Sequence, residues 1–190
     1  MTTSRVLTWD VPASGGYETA WVDCGPGALH ARGRAVGTTP EPYWISYELE
    51  TAEDFVTRRL LVTAETAART RTLELRHDGR GGWSADGEPL PPLTGALDCD
   101  LGLSPLTNTM PLLRHALHRA VGEQEFLMAW VSVPGLVVRP SRQTYTHLAR
   151  LSGGGGRVRY ASGSFRSDLE IDADGFVVHY PRLATRIAAE

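Results

Sequence analysis

The chain has 190 residues, of which 42% are hydrophobic and 22% are charged, and its formal net charge is −3. This composition is that of an ordinary globular protein, which excludes bulk disorder, and the acidic balance argues against nucleic acid as a partner. No stretch has the roughly 20 apolar residues that a membrane-spanning helix needs.

The two cysteines, Cys24 and Cys99, are too few for a secreted disulfide scaffold. The N-terminus lacks the basic and then apolar run of a signal peptide. We therefore expect a cytoplasmic protein with both thiols reduced. The length fits one domain that covers residues 1–190.

Alternation of apolar and polar residues with a period of two dominates the chain and predicts antiparallel strands. In the clearest case, Tyr43, Ile45, Tyr47 and Leu49 fall on one face of a strand. The predicted strands are, in chain order, Arg5–Asp10, Glu18–Asp23, Leu29–Val36, Tyr43–Glu50, Phe55–Val62, Thr72–His77, Phe126–Val133, Gln143–Leu151, Arg157–Ser162, Asp168–Asp172 and Phe176–Tyr180. A loop is expected at residues 64–69.

Asp-Gly pairs at residues 78–79, 86–87 and 174–175 separate apolar runs. They predict tight hairpins, because both central residues of such a turn can adopt positive φ. The four glycines at 153–156 form a further connection, and they lack the Lys-Ser/Thr that completes a phosphate-binding loop.

A single helix is predicted over residues 109–121. Pro111 suits a first helical turn, Asn108 or Thr109 can cap it, and Gly122 can end it. Leucine and alanine side chains form a stripe on one face of this helix.

His115 and His118 lie opposite that stripe, in an H-x-x-H spacing. A zinc site needs more ligands than these two, and no further metal-binding pattern accompanies them. We interpret both histidines as solvated, and we expect neither a metal nor a cofactor.

Two parts of the chain resemble each other in the order and spacing of their arginines, strands and Asp-Gly turns. These pseudo-repeats cover roughly residues 43–96 and 123–183, and the helix lies between them. The repetition predicts an internal duplication.

The least generic stretch is LDCDLGLSPLTNTMPLLR, residues 97–114. In an extended strand Asp98 and Asp100 share one face, and exposed backbone N–H groups at the helix start favour an anionic or hydroxylated ligand. In the alternative interpretation the aspartates cap turns, while Ser104, Thr107 and Asn108 satisfy the loop backbone. The sequence leaves both interpretations open.

Asp98 and Asp100 also have the separation that two carboxyl groups need at a glycosidic bond, about 7 Å. No third residue with an obvious role accompanies them, and no nucleophile motif such as G-x-S-x-G is present. Catalysis is therefore the second hypothesis.

Arginine and aromatic residues alternate along several strands, and all 19 basic residues are arginine. Aromatic faces stack on sugar rings or cover acyl chains, and arginine forks bind head groups and hydroxyls. The ordinary interpretation is that each of the five tryptophans belongs to the core.

The stretches YWISYELE, VTRRLLV, RTLELRHDGRGGWSADGEPLPPL and above all LDCDLGLSPLTNTMPLLR resemble the bacterial putative glycolipid-binding family. RQTYTHLARL and the final Asp-Gly hairpin fit as well, so the resemblance covers nearly the whole chain. It implies a mainly β fold, an antiparallel β-roll or half-barrel with an internal duplication and one α-helix. It also implies a likeness to bacterial carriers that hold lipoprotein acyl chains in a half-barrel.

We accordingly expect a non-enzymatic binding protein for an amphipathic small molecule such as a glycolipid. The curved sheet is expected to enclose a hollow for the apolar tail, with a polar mouth for the head group. The residues predicted at this mouth are Asp98, Asp100, Ser104, Thr107, Asn108, Arg58 and Arg114. The alternatives are a hydrolase acting on a sugar or lipid conjugate with Asp98 and Asp100, and a ligand-free interaction module that pairs through sheet edges or forms a homodimer.

Overall fold

The computed structural model of the protein describes residues 2–188, which contain one α-helix, α1 (Thr109–Arg114). Short 3-10 turns lie at Glu53–Phe55, Pro91–Leu93 and Leu106–Asn108. The strands are, in chain order, β1 (Thr3–Val11), β2 (Gly16–Gly25), β3 (Ala28–Gly37), β4 (Tyr43–Thr51), β5 (Thr57–Thr66), β6 (Thr70–His77), β7 (Trp83–Ala85), β8 (Glu88–Pro89), β9 (Asp98–Leu101), β10 (Glu123–Val131), β11 (Val138–Arg150), β12 (Gly156–Ser162), β13 (Phe165–Ile171), β14 (Val177–Tyr180) and β15 (Ala184–Arg186).

These strands form one sheet in the order β8-β7-β6-β5-β4-β3-β2-β1-β15-β14-β13-β12-β11-β10-β9. Every neighbouring pair is antiparallel except β9 and β10, which run parallel. β1 pairs with β15, so the two ends of the chain meet in the middle of the sheet. The predicted mainly β antiparallel roll with one helix is confirmed, and the internal duplication stays a prediction.

The sheet curls until its last edge strand approaches β5. The backbone N–H of Thr57 donates to the carbonyl of Leu97 over 3.0 Å, just before β9. The indole N–H of Trp83 donates to the carbonyl of Ala96 over 2.8 Å. The edge strands β8 and β9 do not pair with each other within residues 2–188, so the roll is not closed into a barrel.

Alternation along each strand decides which side chains face the inside of the roll. In β4 Tyr43, Ile45, Tyr47 and Leu49 are at most 5% exposed, whereas Trp44 between them is 58% exposed. Burial of one face of the pleat is the main force that fixes the register of such a strand, because a slip of one residue would exchange the two faces.

The prediction of a hollow interior is wrong, because the chain fills the roll with its own side chains. The segment from β9 through α1 lies between the two flanks of the sheet, since Ser104 binds a side chain of β2 and Asn108 binds one of β11. Four apolar side chains of this segment are completely buried: Leu101, Leu106, Met110 and Leu112. We call residues 98–117 the plug. Leu112 and Leu117 of the stripe read from the sequence are buried as well, whereas Ala120 is exposed, so protein side chains occupy the inside of the roll.

The helix prediction, residues 109–121, was too long. α1 ends at Arg114, and Ala116 has a left-handed backbone with φ of 51°. This reversal turns Leu117 and His118 inward. His118 is therefore only 3% exposed, against the prediction that it is solvated, and neither ring nitrogen has a hydrogen-bond partner among residues 2–188.

Three other local predictions need correction. The strand predicted from Phe55 begins at Thr57, because residues 54 and 55 have positive φ. That strand extends to Thr66, into the predicted loop. Of the three Asp-Gly pairs, only Asp86 and Gly87 both have positive φ, 51° and 88°, in the tight turn between β7 and β8.

Candidate functional site

Asp98 and Arg114 form a buried ion pair at one end of the plug. Two guanidinium nitrogens of Arg114 donate to the two carboxylate oxygens of Asp98 over 2.8 Å and 2.5 Å. Asp98 is completely buried, and Arg114 also donates to the carbonyls of Asp54 and Phe55. Burial raises the pKa of Asp98, and the Arg114 contacts oppose that rise. One arginine thus joins α1, β9 and the turn before β5.

Asp100, two residues further along β9, binds a different set of donors. Its carboxylate accepts a hydrogen bond from the Gln143 amide over 2.5 Å and another from the Thr107 hydroxyl over 3.1 Å. The Tyr145 hydroxyl continues the network by donating to Asn108 over 2.8 Å. Burial raises the pKa of Asp100, and the bonds from Gln143 and Thr107 oppose the rise.

Glu18 is the third buried carboxyl group, and the sequence analysis missed its role. It occupies an inward position of β2, where Ala20 and Val22 follow it on the same face. The hydroxyls of Tyr47 and Ser104 both donate to its Oε1, over 2.6 Å and 2.7 Å, while Oε2 has no partner among residues 2–188. A cavity of about 10 Å³ beside it has room for one water molecule at most. The sequence signal for this role was a charged residue, Glu18, at a position of the alternating strand where the other side chains face inward.

Burial raises the pKa of Glu18 from 4.5 to about 7. The folded protein therefore holds this proton more tightly than the unfolded chain does. The resulting stabilisation is complete below pH 4.5 and is lost as the pH rises through 7, a change on the order of 3 kcal/mol. Denaturant titrations of wild type and Glu18→Gln at pH 4.5 and pH 8 measure it. We expect the variant to gain stability relative to wild type at the higher pH, and an unchanged difference between the two proteins would contradict the prediction.

The structure brings together six of the seven predicted site residues. Asp98, Asp100, Ser104, Thr107, Asn108 and Arg114 all belong to the plug, and their polar groups bind one another or the surrounding strands. Arg58 is separate: it lies exposed at the start of β5, over the Gly79 turn. Both aspartate carboxylates accept hydrogen bonds from the protein. Contact of these residues with a ligand stays a prediction.

An open groove of about 540 Å³ lies on the outer face of the sheet, across β2 to β5. We call it the outer groove. The side chains that line it from the outer face are those of Trp21, Arg32, Arg34, Ser46, Glu48, Leu61 and Thr63.

The strand register arranges the outer face into three rows, each of residues paired across neighbouring strands. The first row is Trp21, Arg32, Glu48 and Leu61, and the second is Thr19, Arg34, Ser46 and Thr63. The third row consists of Tyr17, Val36, Trp44 and Glu65, and its first three members are 53%, 47% and 58% exposed. We call Tyr17, Val36 and Trp44 the apolar strip. Rows lie about 7 Å apart, because side chains on one face recur every second residue.

Arg32 and Arg34 form no ion pair or side-chain hydrogen bond within the described part of the chain. Arg59 on a neighbouring strand differs, since it is held by Glu48, Glu50 and Glu74. Two guanidinium groups without a side-chain partner in the described part of the chain therefore lie beside Trp21, which is 50% exposed. Such a surface can stack a sugar ring on the indole and bind hydroxyl or acidic groups with the arginines.

The ordinary interpretation that each tryptophan belongs to the core is wrong for Trp21 and Trp44. Both occupy the outward positions of their strands, where alternation exposes them. The signal was present in the sequence: an aromatic residue that alternates with buried residues on a strand must face outward.

A family model described as putative glycolipid-binding matches residues 6–186. A crystal structure of a DUF1089 family protein from Pseudomonas aeruginosa is 32% identical, with a TM-score of 0.74, over 90% of this chain and 92% of that one. A β-barrel-like protein of the DUF1849 family from Brucella abortus is 9% identical, with a TM-score of 0.50, over 97% and 94% of the two chains, and it shares the fold alone. No curated protein matches the chain.

Two broader features of residues 2–188 complete the description. They contain no helix that is both long and apolar enough to cross a bilayer. They contain no group of three or more histidine, cysteine, aspartate or glutamate side chains that could hold a metal ion. A cytoplasmic location stays a prediction.

Proposed function

The chain belongs to the putative glycolipid-binding family, and from this membership we propose that it is a non-enzymatic binding protein for an amphipathic glycolipid. The single observation that carries the proposal beyond the family description is the half-exposed Trp21 beside two unpaired arginines in the outer groove. The groove is large enough for one or two sugar rings, since ligand pockets commonly measure about 300–1,000 Å³.

The sugar head group occupies the outer groove in this proposal. Its ring stacks on the indole of Trp21, which presents a broad apolar face without a competing partner. Arg32 and Arg34 donate to its hydroxyl or acidic groups, and Ser46 and Thr63 supply further hydroxyls.

The apolar tail lies along the apolar strip. Tyr17, Val36 and Trp44 are directly paired across three neighbouring strands, so their side chains form one continuous exposed band. Large apolar side chains that are exposed together mark interaction surfaces more often than isolated ones do. The filled interior supports the same assignment, because the plug occupies the space in which a carrier would hold an acyl chain.

Vesicle binding tests this proposal. The probes are phosphatidylcholine vesicles with and without a diglycosyl diacylglycerol, and the measurement is flotation with the full chain. We expect binding only to the vesicles that carry the glycolipid. Trp21→Ala should weaken it about thirtyfold, since a central aromatic contact contributes about 2 kcal/mol. Arg34→Ser should weaken it about tenfold through loss of a charge-assisted hydrogen bond.

The matched control is Arg142→Ser, which removes an arginine that lies on β11, outside the outer groove, and whose side chain is 74% exposed. This variant should bind as wild type does. Wild-type protein that ignores the glycolipid, or a Trp21→Ala variant that binds with unchanged affinity, would overturn the proposed function.

A further inference from the structure

A second open pocket, of about 530 Å³, lies between β13 and the turn that follows β14. Three arginines, Arg159, Arg166 and Arg182, line it together with Ser167, Asp168 and Pro181. We call it the arginine pocket. It is built from strands on the other flank of the roll and shares no residue with the outer groove.

The charges in the arginine pocket do not cancel. Arg159 donates to both carboxylate oxygens of Asp168, over 2.7 Å and 3.0 Å, so the one acidic lining residue is already neutralised. Arg166 binds only the backbone carbonyls of Gly163 and Phe165. Arg182 lies over the Phe165 ring at 5.7 Å and has no ion pair within residues 2–188. Two positive charges therefore remain without a counter-charge.

Within residues 2–188, part of the backbone beside the pocket has no strand partner. β13 pairs with β12 along its whole length, but its pairing with β14 reaches only Glu170 and Ile171. An antiparallel strand directs the N–H groups of alternate residues to each edge. The first half of β13 thus offers backbone donors at an edge that no strand covers.

We propose that the arginine pocket binds a small molecule that bears a phosphate or sulfate group. Arg166 and Arg182 bind the oxyanion with their guanidinium forks, and the free edge of β13 completes the donor set. A tetrahedral oxyanion fits this set because it only accepts hydrogen bonds and carries the charge that two free arginines require. The volume exceeds that of one oxyanion, so the organic part of the ligand lies in the same pocket.

Amide-resolved NMR titration tests this assignment on the full chain. The probes are inorganic phosphate and inorganic sulfate up to about 20 mM, a range suited to millimolar affinity, with sodium chloride at matched ionic strength. We expect shifts confined to residues 165–168 and 181–183. Arg182→Gln and Arg166→Gln should each weaken the binding about tenfold, and Arg182→Lys should restore part of it.

The matched control is Arg157→Gln, which removes an exposed arginine of β12 that pairs with Glu170 outside the pocket lining. It should leave the affinity unchanged. Shifts that chloride reproduces, shifts centred elsewhere, or equal losses in Arg157→Gln and Arg182→Gln would overturn the proposal. The glycolipid assay uses different residues, so either proposal can fail without the other.

Discussion

Replacing Arg114 by alanine is expected to destabilise the fold by about 3–5 kcal/mol, because it leaves the carboxylate of Asp98 buried without its partner. Asp98 is completely buried, and both of its oxygens accept hydrogen bonds from Arg114. The same substitution releases the carbonyls of Asp54 and Phe55, which Arg114 also binds. Urea denaturation at pH 7 measures the loss as a lower midpoint with an unchanged slope.

Arg142→Ala supplies the matched control for this experiment, since the Arg142–Glu125 pair has side chains that are 74% and 62% exposed. An exposed pair contributes little, so the control should stay within about 1 kcal/mol of wild type. The double variant Asp98→Ala with Arg114→Ala should be less destabilised than the sum of the single changes, because no charge is left unpaired. An Arg114→Ala protein as stable as Arg142→Ala would contradict the account of the plug.

The strands were predictable from sequence because apolar and polar residues alternate along each strand as its side chains alternate between buried and exposed. In β4 each apolar residue of the alternating set is buried, and the tight turn at Asp86 and Gly87 has the geometry that its two residues favour. Register, twist and order of the strands follow from pairing between distant segments, so the curl that brings Leu97 against Thr57 had no local signal.

The sequence of the plug was recognised as unusual, but its position inside the roll was not predictable. A run with apolar residues at helical spacing indicates that one face is buried, and it does not say what covers that face. The predicted helix of residues 109–121 ends at Arg114, and its Leu112 and Leu117 lie inside the roll. The interruption at Ala116 requires a left-handed backbone that alanine only rarely adopts, so composition gave no warning.

Glu18 shows a different limit of sequence reasoning. Its inward position follows from alternation with Ala20 and Val22, but its partners Tyr47 and Ser104 come from β4 and the plug. Only the folded roll joins these three segments. A buried carboxyl group is tolerated because such partners supply hydrogen bonds, and partners so far apart in sequence are not readable from one strand.

Four of the five tryptophans report on two regions of the molecule, the inside of the roll and its outer face. Trp9 and Trp83 are buried, at 0% and 4% exposure, whereas Trp21 and Trp44 are half-exposed on the outer face. A glycolipid whose acyl chains carry bromine quenches only the indoles that its tail reaches. Binding on the outer face therefore quenches Trp44, beside which the tail lies, and binding inside the roll quenches Trp9 and Trp83.

Fluorescence quenching by brominated glycolipid in wild type and in the double variant Trp21→Phe with Trp44→Phe distinguishes the two regions most directly. Phenylalanine preserves an apolar ring at both positions, so the surface stays able to hold the ligand. We predict strong quenching in wild type and almost none in the double variant, with binding still detectable by flotation. Quenching of equal depth in both proteins would place the tail away from Trp21 and Trp44 and contradict a roll that binds its ligand on this outer face.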